Sequence, residues 1–92
     1  MYQGVLTKEE DFESFARSIE ESGADLVTNE HHVNDRVYEL EGEGVIRCDI
    51  YPFDHSYKAY VQLLGFSEDG ERLGELRRNL ETLSSWSELK DR

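Results

Sequence analysis

The sequence predicts an α+β fold: a largely antiparallel sheet of four or five strands with two helices on one face, in the order β-α-β-β-β-β-α. Three observations predict it. Apolar residues recur at helical spacing in two separate segments, and the stretch between them changes to two-residue alternation broken by turn signals. Each helical segment also carries a single apolar stripe, and a single stripe needs a single surface to cover, which one sheet face supplies.

Residues 2–6, YQGVL, form the first strand. Thr7 then reads as a helix N-cap, with Glu10 three places on in the capping-box arrangement. Phe12, Phe15, Ala16 and Ile19 follow at helical spacing, with Glu9, Asp11, Glu13, Glu20 and Glu21 mostly off that stripe, and Gly23 ends the segment. Acids in the first turn suit the positive end of the helix dipole.

From residue 24 to 66 the pattern is that of strands. Leu26 to His31 is one, Asn34-Asp35 a turn, Arg36 to Glu41 a second, and Gly42-Glu43-Gly44 the sharpest break in the chain. Val45 to Tyr51 alternates, with Ile46, Cys48 and Ile50 on one face and Val45, Arg47, Asp49 and Tyr51 on the other. Pro52-Phe53-Asp54-His55 reads as a turn. Tyr57 to Phe66 then puts Tyr57, Ala59, Val61 and Leu63 on one side and Lys58, Tyr60, Gln62 and Leu64 on the other.

Ser67 to Asp69 supply the cap and acidic first turn of the second helix, whose stripe is Leu73, Leu76, Leu80 and Leu83. Ser84-Ser85 fray its end, and Trp86 and Leu89 carry the apolar side into a loose final turn. No repeat, linker or low-complexity tract interrupts the 92 residues, so residues 1–92 read as a single domain.

Composition narrows the function classes. No stretch reaches the apolar length of a membrane span, and MYQGVLTKEE lacks the basic and apolar regions of a signal peptide, so a cytoplasmic location without membrane association is expected. A single cysteine, Cys48, forms no intrachain disulfide. The net charge of −11 is uneven: residues 8–30 hold eight acids and two bases, whereas residues 71–92 hold five of each. Three lysines stand beside seven arginines. Many carboxylates with few lysines is a composition similar to that of proteins from a salt-loving cytoplasm, where surface acid keeps proteins dispersed in molar salt.

The candidate sites for chemistry are weak. His31, His32, Cys48 and His55 have no metal-ligand spacing, because neighbouring strand residues point to opposite faces and neither CxxC nor HxxxH occurs. No metal, cofactor or catalytic residue is assigned. Cys48, between Ile46 and Ile50, reads as a small core residue, and no GxSxG elbow or phosphate loop is present. Arg72, Arg77 and Arg78 are interleaved with Glu71 and Glu75, which suits pairing along a helix better than binding to nucleic acid.

Two stripes on one sheet face leave the other face open. Val45, Arg47, Tyr51, Tyr60 and Leu64 fall there, and they are more apolar and aromatic than a wet sheet face requires. The sequence thus reads as a small acidic, non-enzymatic interaction domain that pairs with itself, as a homodimer, or with a protein partner through this face. Two other classes compete: an acidic inhibitor or immunity-type protein that binds a basic protein, and a small-molecule or enzymatic domain with a pocket between sheet and helices. The composition also generates a solution expectation. The melting temperature should climb as potassium chloride rises from low to molar concentration, and full stability at low salt would count against a salt-adapted surface.

Overall fold

A computed structural model of the chain describes residues 2–27, 35–53 and 56–90. Within them the elements are β1 (Tyr2–Leu6), α1 (Glu9–Glu21), β2 (Asp25–Val27), β3 (Asp35–Leu40), β4 (Gly44–Phe53), β5 (Ser56–Leu64), α2 (Glu71–Glu81) and β6 (Trp86–Glu88). The strands form one antiparallel sheet in the order β2-β3-β4-β5-β1-β6. The fold is α+β as expected, with six strands rather than four or five.

Both helices lie on one face, and the topology gives the reason. β1 and β5 are antiparallel neighbours. Each is followed by a helix that carries the chain over the sheet to a strand parallel to the one just left, β1 to β2 and β5 to β6, in opposite directions across the sheet. Crossovers of this kind almost always take the same hand. One hand applied to two opposed strands that cross in opposite directions sets both helices on the same side.

That side is the core. Phe12, Phe15, Ala16 and Ile19 of α1 and Leu76 and Leu80 of α2 pack with Leu6, Tyr38, Leu40, Ile46, Cys48, Ala59, Val61 and Leu63 of the strands. Each large side chain removed wholly from water contributes about 1.5–3 kcal/mol. Tyr38, also fully buried, keeps its hydroxyl satisfied by donating to Glu20 Oε1 at 3.2 Å. Asn79 Nδ2 donates to Ser18 Oγ at 2.7 Å and ties the two helices together.

The ends of α1 show why the domain closes on itself. At its C-terminus Gly23 takes φ +98°, a conformation that favours glycine. There the Gly23 and Ala24 amides donate to the Glu20 and Ile19 carbonyls, which completes a Schellman cap. The N-terminus differs from the expected capping box. Lys8, not Thr7, occupies the N-cap position and makes no side-chain cap bond. Ser85 holds the chain as it enters the helix: its hydroxyl accepts the Thr7 and Lys8 amides at 3.1 and 3.2 Å while its own amide donates to Asp11 Oδ2 at 2.9 Å. The double serine therefore clamps the start of α1 rather than fraying the end of α2. The cap of α2 is likewise corrected: Gly70 holds that position, and Ser67 only accepts the Gly70 amide through its carbonyl.

Trp86 and Leu89 were expected to prolong α2, but the chain leaves the helix at Glu81 and returns as β6. β1 has an edge to satisfy, and β6 pairs with it through Leu6↔Trp86, Val5↔Ser87 and Gly4↔Glu88. The indole stacks on Tyr2 with ring centroids 5.8 Å apart, and its Nε1 donates to the Tyr2 hydroxyl at 3.2 Å. Gly4 makes room for this, since a Cβ there would collide with the Trp86 ring and the Ser87 carbonyl.

Three strand boundaries also move. β4 runs on through Pro52 and Phe53 instead of turning there, and Asp54 and His55 lie outside the described residues. Among the described residues β3 pairs with β4 as far as Asp49, so Pro52 interrupts none of the described β3–β4 pairs. The strand expected over Leu26–His31 is seen as Asp25–Val27, and Asp35 opens β3; residues 28–34 lie outside the described residues.

The serine clamp can be tested by Ser85→Ala, which removes the acceptor of two backbone amides and should cost about 1 kcal/mol in denaturant or thermal melts. Folding lowers the Asp11 pKa through the Ser85 hydroxyl and amide. The contribution of that carboxylate is therefore complete above its unfolded pKa and is lost as pH falls through the lowered folded-state value. The difference between wild type and variant should therefore be largest at neutral pH and narrow in acid to the part that comes from the two backbone amides.

Candidate functional site

The face turned away from the helices is set by strand register. Val45 lies opposite Leu64, Arg47 opposite Gln62, Asp49 opposite Tyr60 and Tyr51 opposite Lys58. All five residues expected on the open face, Val45, Arg47, Tyr51, Tyr60 and Leu64, therefore share it, since alternate strand residues point the same way. Gln3 and Val5 of β1 continue it, paired with Gln62 and Tyr60. Beyond β6, the Leu89 amide donates to the Gln3 carbonyl at 2.9 Å, and the Leu89 side chain is 43% exposed. Sequence reasoning missed Leu89 because it assigned that segment to a helix, and it passed over Gln3 and Val5, whose strand is too short to display its alternation.

The chemistry of the face is mixed rather than purely apolar. Tyr51 and Tyr60 meet edge to face with centroids 5.8 Å apart, and Tyr51 is 46% exposed. Val45, Tyr60 and Leu64 are half-buried by their same-face neighbours, while Arg47 is exposed. Arg47 Nε reaches Asp49 Oδ1 at 3.3 Å, and Gln62 Nε2 donates to Gln3 Oε1 at 3.2 Å. A shallow hollow of about 220 Å³ lies over Gln3, Asp49, Tyr51, Tyr60, Gln62 and Leu89.

Charge separates this face from the rest of the molecule. Across β4, β5, β1 and the chain from β6 to Leu89, its charged side chains are Arg47, Lys58 and Asp49. The whole chain carries −11. On the other side of the sheet α1 alone holds six acids against one base. The other acids on the open face, Asp25, Asp35 and Glu39, stand on its β2–β3 margin.

The helix side of the sheet holds a larger cleft of about 610 Å³, bounded by Tyr2, Leu63, Phe66, Leu73, Arg77 and the carboxylates of Glu68 and Glu88. Tyr2, on its wall, stacks on Trp86, and the Arg77 guanidinium sits 4.8 Å from the Tyr2 ring centroid. Burial raises the Tyr2 pKa. Charged side chains on the rim and an arginine already seated on the Tyr2 ring distinguish this cleft from the concave apolar pocket with convergent polar groups that a small-molecule site presents.

The groups with strongly shifted titration lie in the core rather than in either hollow. Burial among Ile46, Ala59 and Val61 pushes the Cys48 thiol up to about 12, the opposite of what a nucleophilic cysteine requires. Tyr57 is also pushed up to about 12, first by burial and then by Glu13 and Glu9. His31, His32 and His55 lie outside the described residues, and among the described residues no cluster of His, Cys, Asp and Glu is arranged to hold a metal ion. Among them, too, no helix is long and apolar enough to cross a membrane.

Comparison of the chain with protein-family models, with curated proteins and with solved structures finds no match. Function has to be read from the geometry and charge of the faces.

The placement of Cys48 makes a direct expectation. A thiol-specific colorimetric reagent at mildly alkaline pH should leave the native protein unmodified and titrate one thiol per chain after denaturation. Rapid labelling of the native protein would show that the thiol is neither buried nor protonated.

Proposed function

We propose that this chain is an association module whose open sheet face pairs with a second copy of itself. The observation that carries it is charge: on a protein of −11, the aromatic part of the open face holds two bases and one acid. Two copies brought together there press fewer like charges into contact than they would through a surface that includes α1, with its six acids and one base. The residue types agree, since Tyr and Arg are favoured at protein interfaces, and Arg47 beside Asp49 is a pair that two copies related by a two-fold axis can exchange.

Size sets the expected strength. The strands from β4 to β6 number ten, nine, five and three residues. At about 4.8 Å between strands and about 3.3 Å per residue, they span a projected area of roughly 450 Å², against ~800 Å² of accessible surface per partner in a standard interface. Side-chain relief narrows that gap without closing it, so the pairing is reversible rather than permanent.

Light scattering coupled to size exclusion tests this. The mass should approach twice that of the 10.7 kDa chain as protein concentration rises. Tyr60→Asp should return it to the single-chain value at the same concentration, because truncating a central aromatic anchor costs about 2 kcal/mol, more than tenfold in association. An unchanged circular dichroism spectrum would verify that the variant folds. A wild-type protein that stays at single-chain mass, or a variant that stays paired, removes the proposal.

A further inference from the structure

Resting on the pairing proposed above, we infer that ionic strength controls it, so that two copies separate in dilute salt and join in concentrated salt. Contact and approach make opposite demands on this molecule. At contact the central face is low in net charge: among the described residues of β4, β5, β1 and β6 to Leu89 its ionised side chains are Arg47, Lys58 and Asp49. During approach, two bodies of −11 repel.

Distances decide how far that repulsion reaches. Face-to-face sheets pack about 10 Å apart, and the screening length of the solution is about 10 Å near 0.1 M salt and about 3 Å at 1 M. In dilute salt a carboxylate on the β2–β3 margin such as Glu39, opposite Val45, therefore acts across the gap on the partner. In molar salt it does not. The six acids of α1 lie a layer further back and add to the field only while screening is weak. Because the paired face is modest in area, a repulsion of this kind is enough to decide the balance. The sign separates this case from an interface held by opposite charges, which loses affinity as salt rises.

Sedimentation equilibrium in potassium chloride tests the inference over the range in which circular dichroism shows the chain folded. The dissociation constant should fall at least tenfold between about 0.1 M and about 1 M salt. Simple salting-out of apolar surface would also strengthen pairing, and a charge variant separates the two causes. Glu10→Gln, Glu21→Gln and Glu81→Gln together take the chain from −11 to −8 at helix positions remote from the open face. The product of the two like charges then drops by roughly half. This variant should pair at low salt at least severalfold more tightly than the wild type and respond less to added salt.

A wild-type affinity that is constant or weakens with salt, or a triple variant that follows the wild-type curve, overturns the salt control. If Tyr60→Asp still abolishes pairing in those same solutions, the open face stands as the interface and only its regulation fails. If Tyr60→Asp pairs as the wild type does in molar salt, the association lies elsewhere on the molecule and both proposals fall together.

Discussion

The position of β1 is the constraint on which the rest of the structure depends. It is first in sequence yet lies between β5 and β6, so the sheet cannot be completed until the meander β2 to β5 has formed and α2 has brought β6 back. With β1 beside an antiparallel β5, the two helix crossovers acquire the same hand only by lying on the same face. From that follow one dry core beneath α1 and α2 and one sheet face that no helix covers. Gly4 belongs to the same arrangement, because its missing side chain lets Trp86 lie across β1 and seal the edge that would otherwise stay unpaired.

Charge is distributed in step with this architecture. α1 uses its outer surface for carboxylates and its inner surface for Phe12, Phe15, Ala16 and Ile19, so the helical layer is at once the source of the core and of much of the acidity. The open face carries tyrosines, short aliphatic residues, glutamines and a neutralised Arg47–Asp49 pair. In the pairing proposed above, this low charge over β4, β5 and β1 is what lets one copy of a strongly acidic chain approach another, with long-range repulsion left as the term that the surrounding solution adjusts.

Much of the fold was legible because strand alternation is strictly local. Ile46, Cys48 and Ile50 against Val45, Arg47 and Tyr51 follow from the pleat alone, and β4 and β5 are long enough to display it. The stripe of α1 and its glycine stop were legible for the same reason, since a Schellman cap involves neighbours in the chain. The misreadings share a cause. Thr7 makes no cap bond, and its amide instead donates to Ser85, which is 78 residues away. Trp86 and Leu89, at spacings that continue the stripe of α2, were taken by β1, about 80 residues distant, because pairing an open strand edge and stacking on Tyr2 outweigh one more helical turn.

By itself the sequence determined the fold class, the inward and outward faces of α1, β4 and β5, the acidity of the N-terminal two-thirds, and the membership of Val45, Arg47, Tyr51, Tyr60 and Leu64 in one face, all of which rest on periods of two or about 3.6 residues or on counting charges. Tertiary structure alone decided the strand order, the sixth strand, the serine clamp on α1, and the gathering of Asp25, Asp35 and Glu39 on the β2–β3 margin of the open face. Those features are made by residues that meet only when the chain has closed around β1, and no local period encodes which distant segment arrives there.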